Sequence, residues 1–111
     1  MKPLIRMAAL AATLLAPSVL QAQNVTSILQ VLDTKTGETR VVREFPYLIE
    51  APNWTVDGNW LIFNSQGQIW KISPTGGDPE KIDTGEVMGC NNDHVLSHDG
   101  RQIAFVSYRL D

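Results

Sequence analysis

The stretch APNWTVDGNWLIFNS, residues 51–65, sets an Asp-Gly pair between two apolar runs, and DHVLSHDGRQIAFVS, residues 93–107, does so again. Laying Asp57-Gly58 on Asp99-Gly100 also lays Thr55 on Ser97, Leu61 on Ile103 and Phe63 on Phe105. Residue type and spacing match together, so the chain carries an internal repeat. Short runs rich in Val, Ile, Trp and Phe, bounded by Gly, Pro or Asp, recur through the chain. No segment after residue 22 places apolar residues at i, i+3, i+4 and i+7. The expected fold class is all β.

Within residues 51–83 the pattern predicts a meander of four strands. PNWTV and NWLIFNS flank Asp57-Gly58, a pair favoured in two-residue type I′ hairpins, which need φ > 0 at both central residues. QIWKIS follows Gln66-Gly67, and a turn at Gly76-Gly77 leads into PEKID. Sliding QIWKISPTGGDPEKI back onto ILQVLDTKTGETRVV lays Ile69 on Leu29, Ile72 on Leu32 and Ile82 on Val42. Residues 27–43 therefore read as the last two strands of an earlier unit, and residues 93–111 as the first two of a later one. A four-stranded meander repeating at such an interval is the signature of a β-propeller blade, and WLIF, apolar without alternation, suits a strand covered on both faces. The expectation is a partial propeller of four-stranded antiparallel blades, about two blades' worth, where closure takes at least four.

Ahead of the repeats, residues 1–22 read as a secretory signal peptide: Lys2 and Arg6, an apolar run broken at Pro17-Ser18, and Ala22 before Gln23 as cleavage site. The run is too short to span a bilayer, which takes about 20 apolar residues. The mature chain, residues 23–111, is expected to be periplasmic or secreted, with no membrane span after cleavage. Loss of Lys2 and Arg6 moves the formal charge from −3 to −5. The remaining cations are interleaved with acids, so no basic patch exists for nucleic acid. Cys90, alone, permits no internal disulfide.

With both copies in view, the sequence resembles the TolB-like, WD40-like β-propeller repeat, whose blades carry P-x-W-S-P-D-G-x-x-I-A-F followed by I-W or I-Y and a Gly-Gly turn. The resemblance covers about residues 27–111. Val56 and His98 stand where the family has its second proline, and Leu96 where it has tryptophan. It implies an innermost strand that comes first in each blade, an Asp-Gly turn leading outward, and an N-terminal half blade completed by strands from the C-terminus. The chain then reads as the front part of a larger propeller, or as a two-blade protein that assembles with copies of itself.

Candidate functional residues gather where innermost strands begin. Glu50, Gln66 and the polar run Asn91, Asn92, Asp93 and His94 are expected on one rim of the channel, with His98 on the opposite rim. Imidazole and carboxylate are good metal ligands, so His94 is a candidate for a divalent ion. The same residues also serve plainly as a turn closed by Asn and Asp side chains, with His94 packed beside a neighbouring blade. Trp54, Trp60 and Trp70 suit either core packing or an aromatic sugar platform. Asn24 and Asn53 head short glycosylation-type triplets. The chain has no Gly-x-Ser-x-Gly, no zinc-type Cys/His spacing and no phosphate loop, and nothing marks a nucleophile.

Three functions fit the resemblance. One is a non-catalytic periplasmic scaffold, without cofactor, binding a protein or polysaccharide partner at the channel face, as TolB-like propellers do in cell-envelope complexes. The second is a metal-dependent enzyme resembling oligogalacturonate lyases, with His94 as one ligand. The third is the propeller of a serine peptidase whose catalytic domain follows Asp111.

Overall fold

A computed structural model describes residues 1, 3 and 23–109; the signal-peptide reading falls almost wholly outside them. Eight strands follow one another: β1 Ser27–Leu32, β2 Thr39–Phe45, β3 Glu50–Trp54, β4 Leu61–Ser65, β5 Gln68–Ser73, β6 Gly76–Lys81, β7 Cys90–Leu96 and β8 Ile103–Ser107. They form three antiparallel sheets in the orders β1-β2, β3-β4-β5-β6 and β7-β8. The fold is all β, a partial propeller with one complete four-stranded sheet between two half sheets. Among the described residues there is no helix, and hence none long and apolar enough to cross a membrane.

β4 is buried along its whole length, which is why LIFNS lacks alternation. Leu61 and Phe63 pack with Leu29, Val42, Phe45 and Ile72 against the first sheet. Ile62, one residue out of phase, packs with Ile69 and Cys90 against Leu96, Ile103 and Phe105 of the last sheet. A period of two thus splits β4 between two interfaces. Farther out, Arg43 bridges the first and central sheets by donating to the Gly77 carbonyl at 2.6 Å and the Asp78 carboxylate at 3.0 Å.

The turns depart from the sequence expectation in a consistent way. Asp57-Gly58 is not a two-residue type I′ hairpin, because only Gly58 takes a positive φ (76°). Thr55 N–H donates to the Trp60 carbonyl at 2.9 Å, so four residues span the loop, and Gly58 N–H donates back to Thr55 O at 2.9 Å. The Asp57 carboxylate, accepting from the Thr55 hydroxyl (2.6 Å) and Asn59 N–H (2.9 Å), fixes this loop from inside. Those bonds hold its carboxyl below the ordinary carboxylate value. Ser97–Gln102 repeats the arrangement: Ser97 O accepts from Gly100 N–H at 2.9 Å and Asp99 accepts from the Ser97 hydroxyl at 2.7 Å. What recurs from Asp57 to Asp99 is this side-chain-closed loop. The hairpin with φ > 0 at both central residues is Gln66-Gly67 (53° and 71°).

Nor does Gly76-Gly77 form the next turn. Ser73 pairs with Gly76, so Pro74-Thr75 turns the chain and the two glycines open β6. A Cβ on Gly76 would sit 3.1 Å from the Val42 carbonyl oxygen, so its small size lets the first sheet approach. Gly58 has open space around it, leaving backbone strain as the only cost of a side chain there. Gly58→Val, which forces a β-branched residue to φ > 0, should destabilise by about 1–3 kcal/mol. A urea melt unchanged from wild type would contradict the loop geometry.

Candidate functional site

The first strands of the central and last sheets, β3 and β7, both carry a bulge near their starts. In β3, Glu50 pairs with Asn64 and Asn53 with Ile62, so Ala51 and Pro52 face a single residue of β4. In β7, Cys90 pairs with Ser107 and His94 with Phe105, so Asn91, Asn92 and Asp93 face Val106 alone. Bulges bend a strand and re-aim its side chains. Ala51 takes φ 54°, a conformation that an L-residue adopts at a cost, and this strain marks the β3 bulge. Asn92 and Asp93 are exposed, while Glu50 and Asn91 are half-buried. Asn91 accepts from Asp93 N–H at 2.9 Å and donates to the Tyr108 hydroxyl at 3.1 Å.

The Gln66-Gly67 turn lies against the start of β7: Cys90 N–H donates to the Gly67 carbonyl at 3.0 Å, and a Cβ on Gly67 would come within 3.3 Å of the Gly89 backbone. Glu50, Gln66 and Asn91 therefore lie at one end of the sheets. The loops Thr55–Trp60 and Ser97–Gln102, with exposed His98, lie at the other, and a Cβ on Gly100 would meet Val56 at 3.4 Å.

Of the two placements open to His94 in the sequence, a ligand at the rim or packing beside a neighbouring sheet, the structure has the second. His94 sits inside β7, opposite Phe105, and its ring turns into the seam between the central and last sheets. There its Nδ1 lies 3.2 Å from the Asn53 amide nitrogen. That nitrogen also donates to the Ala51 carbonyl at 3.0 Å, so Nδ1 is the acceptor and the neutral ring carries its proton on Nε2. Among the described residues, the buried Nε2 has no partner. Among the described residues, no group of three or more His, Cys, Asp or Glu side chains converges as a metal cage would.

Burial lowers the His94 pKa below its ordinary value, and the Asp93 charge partly opposes this. A histidine whose folded pKa lies below its unfolded one stabilises the fold above about pH 6.5. That contribution is lost as pH falls through the folded value, when protonation of Nδ1 also ends its acceptance from Asn53. The urea midpoint should therefore fall between pH 7.5 and pH 5, and His94→Asn should flatten that part of the profile. The carboxylates held low, Asp33, Asp57 and Asp99, titrate below about 3.8, outside this window. An equally pH-dependent His94→Asn variant would refute the assignment.

Two side chains at this seam were not evident as functional in the sequence. Asn53, which the sequence marked only as the head of a glycosylation-type triplet, is one; Asn64 is the other, only 5% exposed. In the amide orientation its surroundings dictate, Asn64 shares its N–H groups among the carbonyls of Asn91 (2.9 Å), Cys90 (3.2 Å) and Gln68 (3.2 Å). It thereby fixes the β7 bulge to β4. Ser65 ties the other side, donating to the Leu48 carbonyl at 2.6 Å. The tryptophans do not form one platform: Trp54 is exposed, Trp60 lies 4.2 Å under the Lys71 ammonium, and Trp70 donates to the Ser65 carbonyl at 3.2 Å.

Comparison with solved structures gives a match of TM-score 0.67 and 44% identity to an Agrobacterium tumefaciens structure assigned as a TolB, over 72% of this chain and 29% of that one. The fold is TolB-like. An uncharacterized protein of Agrobacterium fabrum is 45% identical over 75 residues, 67% of this chain. The chain spans about a quarter of that relative's length, 26%. No protein-family model matches.

Proposed function

We propose that this chain is a non-catalytic binding module of the cell envelope, periplasmic or secreted. It holds a protein or polysaccharide partner at the rim formed by Glu50, Gln66, Asn91, Asn92 and Asp93. The observation that carries this reading is the pair of bulges on the first strands of successive sheets, which leaves polar side chains at one end of the sheets. Likeness to a structure assigned as a TolB supports it. Bulges and local strain concentrate where a fold presents side chains to something else. The exposed polar rim, with a buried amide fixing it from behind, suits recognition through hydrogen bonds and charge. As proposed, the module needs no cofactor.

A photo-crosslinking residue at Asn92 should trap a partner in the envelope of the source cell, and one at His98, at the far end, should not. Purified wall polysaccharide and envelope protein fractions then separate the two partner classes. Equal yields from both positions, or none from Asn92, would remove the rim as the binding face.

A further inference from the structure

A single nitrogen atom ties the β3 bulge to β7. The Asn53 amide nitrogen donates to the Ala51 carbonyl at 3.0 Å, within the bulge, and to His94 Nδ1 at 3.2 Å, across the seam between the central and last sheets. Ala51 holds φ 54°, where an L-residue is strained, so the bond to its carbonyl helps to keep a conformation that the backbone alone disfavours. The strain has a definite release. Ala51 precedes Pro52, and a residue before proline prefers extended backbone. Pro52 has its φ fixed by its ring and Glu50 is paired with Asn64, so the freedom of the bulge lies at Ala51.

Protonation of His94 acts on that residue through the amide. A proton on Nδ1 sets donor against donor across the seam. Turning the Asn53 amide over brings its oxygen to Nδ1–H and satisfies the ring, but sets that same oxygen against the Ala51 carbonyl. The strands packed around the ring carry few groups that could answer instead. β3 brings Glu50, β5 brings Lys71, and β7 itself brings Asp93 and the Cys90 thiol, while β4 and β8 carry no titratable side chain. Lys71 is engaged elsewhere, with Glu80 at 3.4 Å and over the Trp60 ring. Burial favours the neutral ring and the Asp93 charge partly opposes this, so the change falls below about pH 6.5.

We infer that His94 and Asn53 form a proton-operated catch on the β3 bulge: when His94 takes up a proton, the Asn53 amide turns over, releases the Ala51 carbonyl, and Ala51 leaves its left-handed conformation for an extended one. Glu50, next in the chain, moves with it, so the end of the sheets that carries Gln66 and Asn91 changes shape in acid. Only the consequence for binding rests on the rim proposed above; the reset of β3 stands on the seam itself.

The test is carbon NMR of alanine-labelled protein between pH 7.5 and pH 5. The Ala51 Cα and Cβ signals should shift from left-handed to extended values, with the same midpoint as the His94 ring and with β-sheet circular dichroism unchanged. In His94→Asn, whose side-chain oxygen accepts from Asn53 but does not titrate, they should stay at the left-handed values throughout. Asn53→Ala, which lacks the catch, should show extended values already at pH 7.5, and it decides the matter should His94→Asn fail to fold. Ala51 signals that hold still while His94 titrates would overturn the inference. So would the same shift in His94→Asn, left-handed values in Asn53→Ala, or a loss of circular dichroism along with the shift. Crosslinking from Asn92 is expected to fall at pH 5 in the wild type and to persist in His94→Asn. Absence of that crosslink at both pH values, with the Ala51 shift present, would remove the rim as a binding face and leave the catch standing.

Discussion

Asn64→Leu should destabilise the protein by about 3 kcal/mol, with a drop in melting temperature of roughly 10–20 °C. The replacement is similar in size, so packing along β4 changes little, and the cost comes from acceptors left without donors. The carbonyls of Asn91, Cys90 and Gln68 converge on one amide nitrogen in a place closed to water. Each buried carbonyl stripped of its donor costs about 1–3 kcal/mol. Asn64→Asp should be worse at neutral pH, because a carboxylate there would face three carbonyl oxygens with no proton to offer. Asn59, exposed in the loop at the other end, is the control: Asn59→Ala should change stability by less than about 0.5 kcal/mol. If Asn64→Leu melted with wild type, the amide would not be what fixes the β7 bulge. A lesser loss of stability with full loss of partner crosslinking at Asn92 would mean that the bulge shape matters more for binding than for folding.

The repeat was legible in the sequence because its strongest marks, Asp-Gly and the apolar run after it, act locally and return at a constant spacing. The strands follow from it, and with them the placing of Glu50, Gln66 and Asn91 at one end of the sheets. Turn type was not legible: Asp-Gly serves equally in a type I′ pair and in the loop seen here, and the choice is made by the Thr55 hydroxyl, which Asp57 accepts from. Gly76-Gly77 misled for a similar reason, since those glycines allow close approach by the first sheet while Pro74-Thr75 turns the chain. Asn91–Asp93 resembled a connecting loop because extra residues bulged from a strand have no signature of their own beyond polarity. Asn53 and Asn64 escaped because a single amide inside a strand looks like any surface residue until both faces are known to be covered. The sequence does hold one hint for Asn64. In LIFNS it continues a run that is buried on both sides, where a polar side chain must find a partner.

Phe63→Ala is expected to cost about 3–5 kcal/mol, the range for truncating a buried aromatic. Phe63 is 1% exposed and meets Phe45 of the first sheet with ring centroids 5.3 Å apart. Phe105 is its counterpart in the next copy of the repeat and touches the central sheet, but it is only partly buried because no outer strands flank β8 among the described residues. Phe105→Ala in the isolated chain should therefore cost clearly less, on the order of 1–2 kcal/mol. The two substitutions remove the same atoms from the same place in successive copies, so the difference between them measures what flanking strands add. Where β8 is paired on its free edge, the difference should shrink. Urea melts of the two variants test this directly. A penalty at position 105 equal to that at 63 under all conditions would show that burial by the outer strands contributes nothing. Packing within each pair of innermost strands would then account for the whole cost.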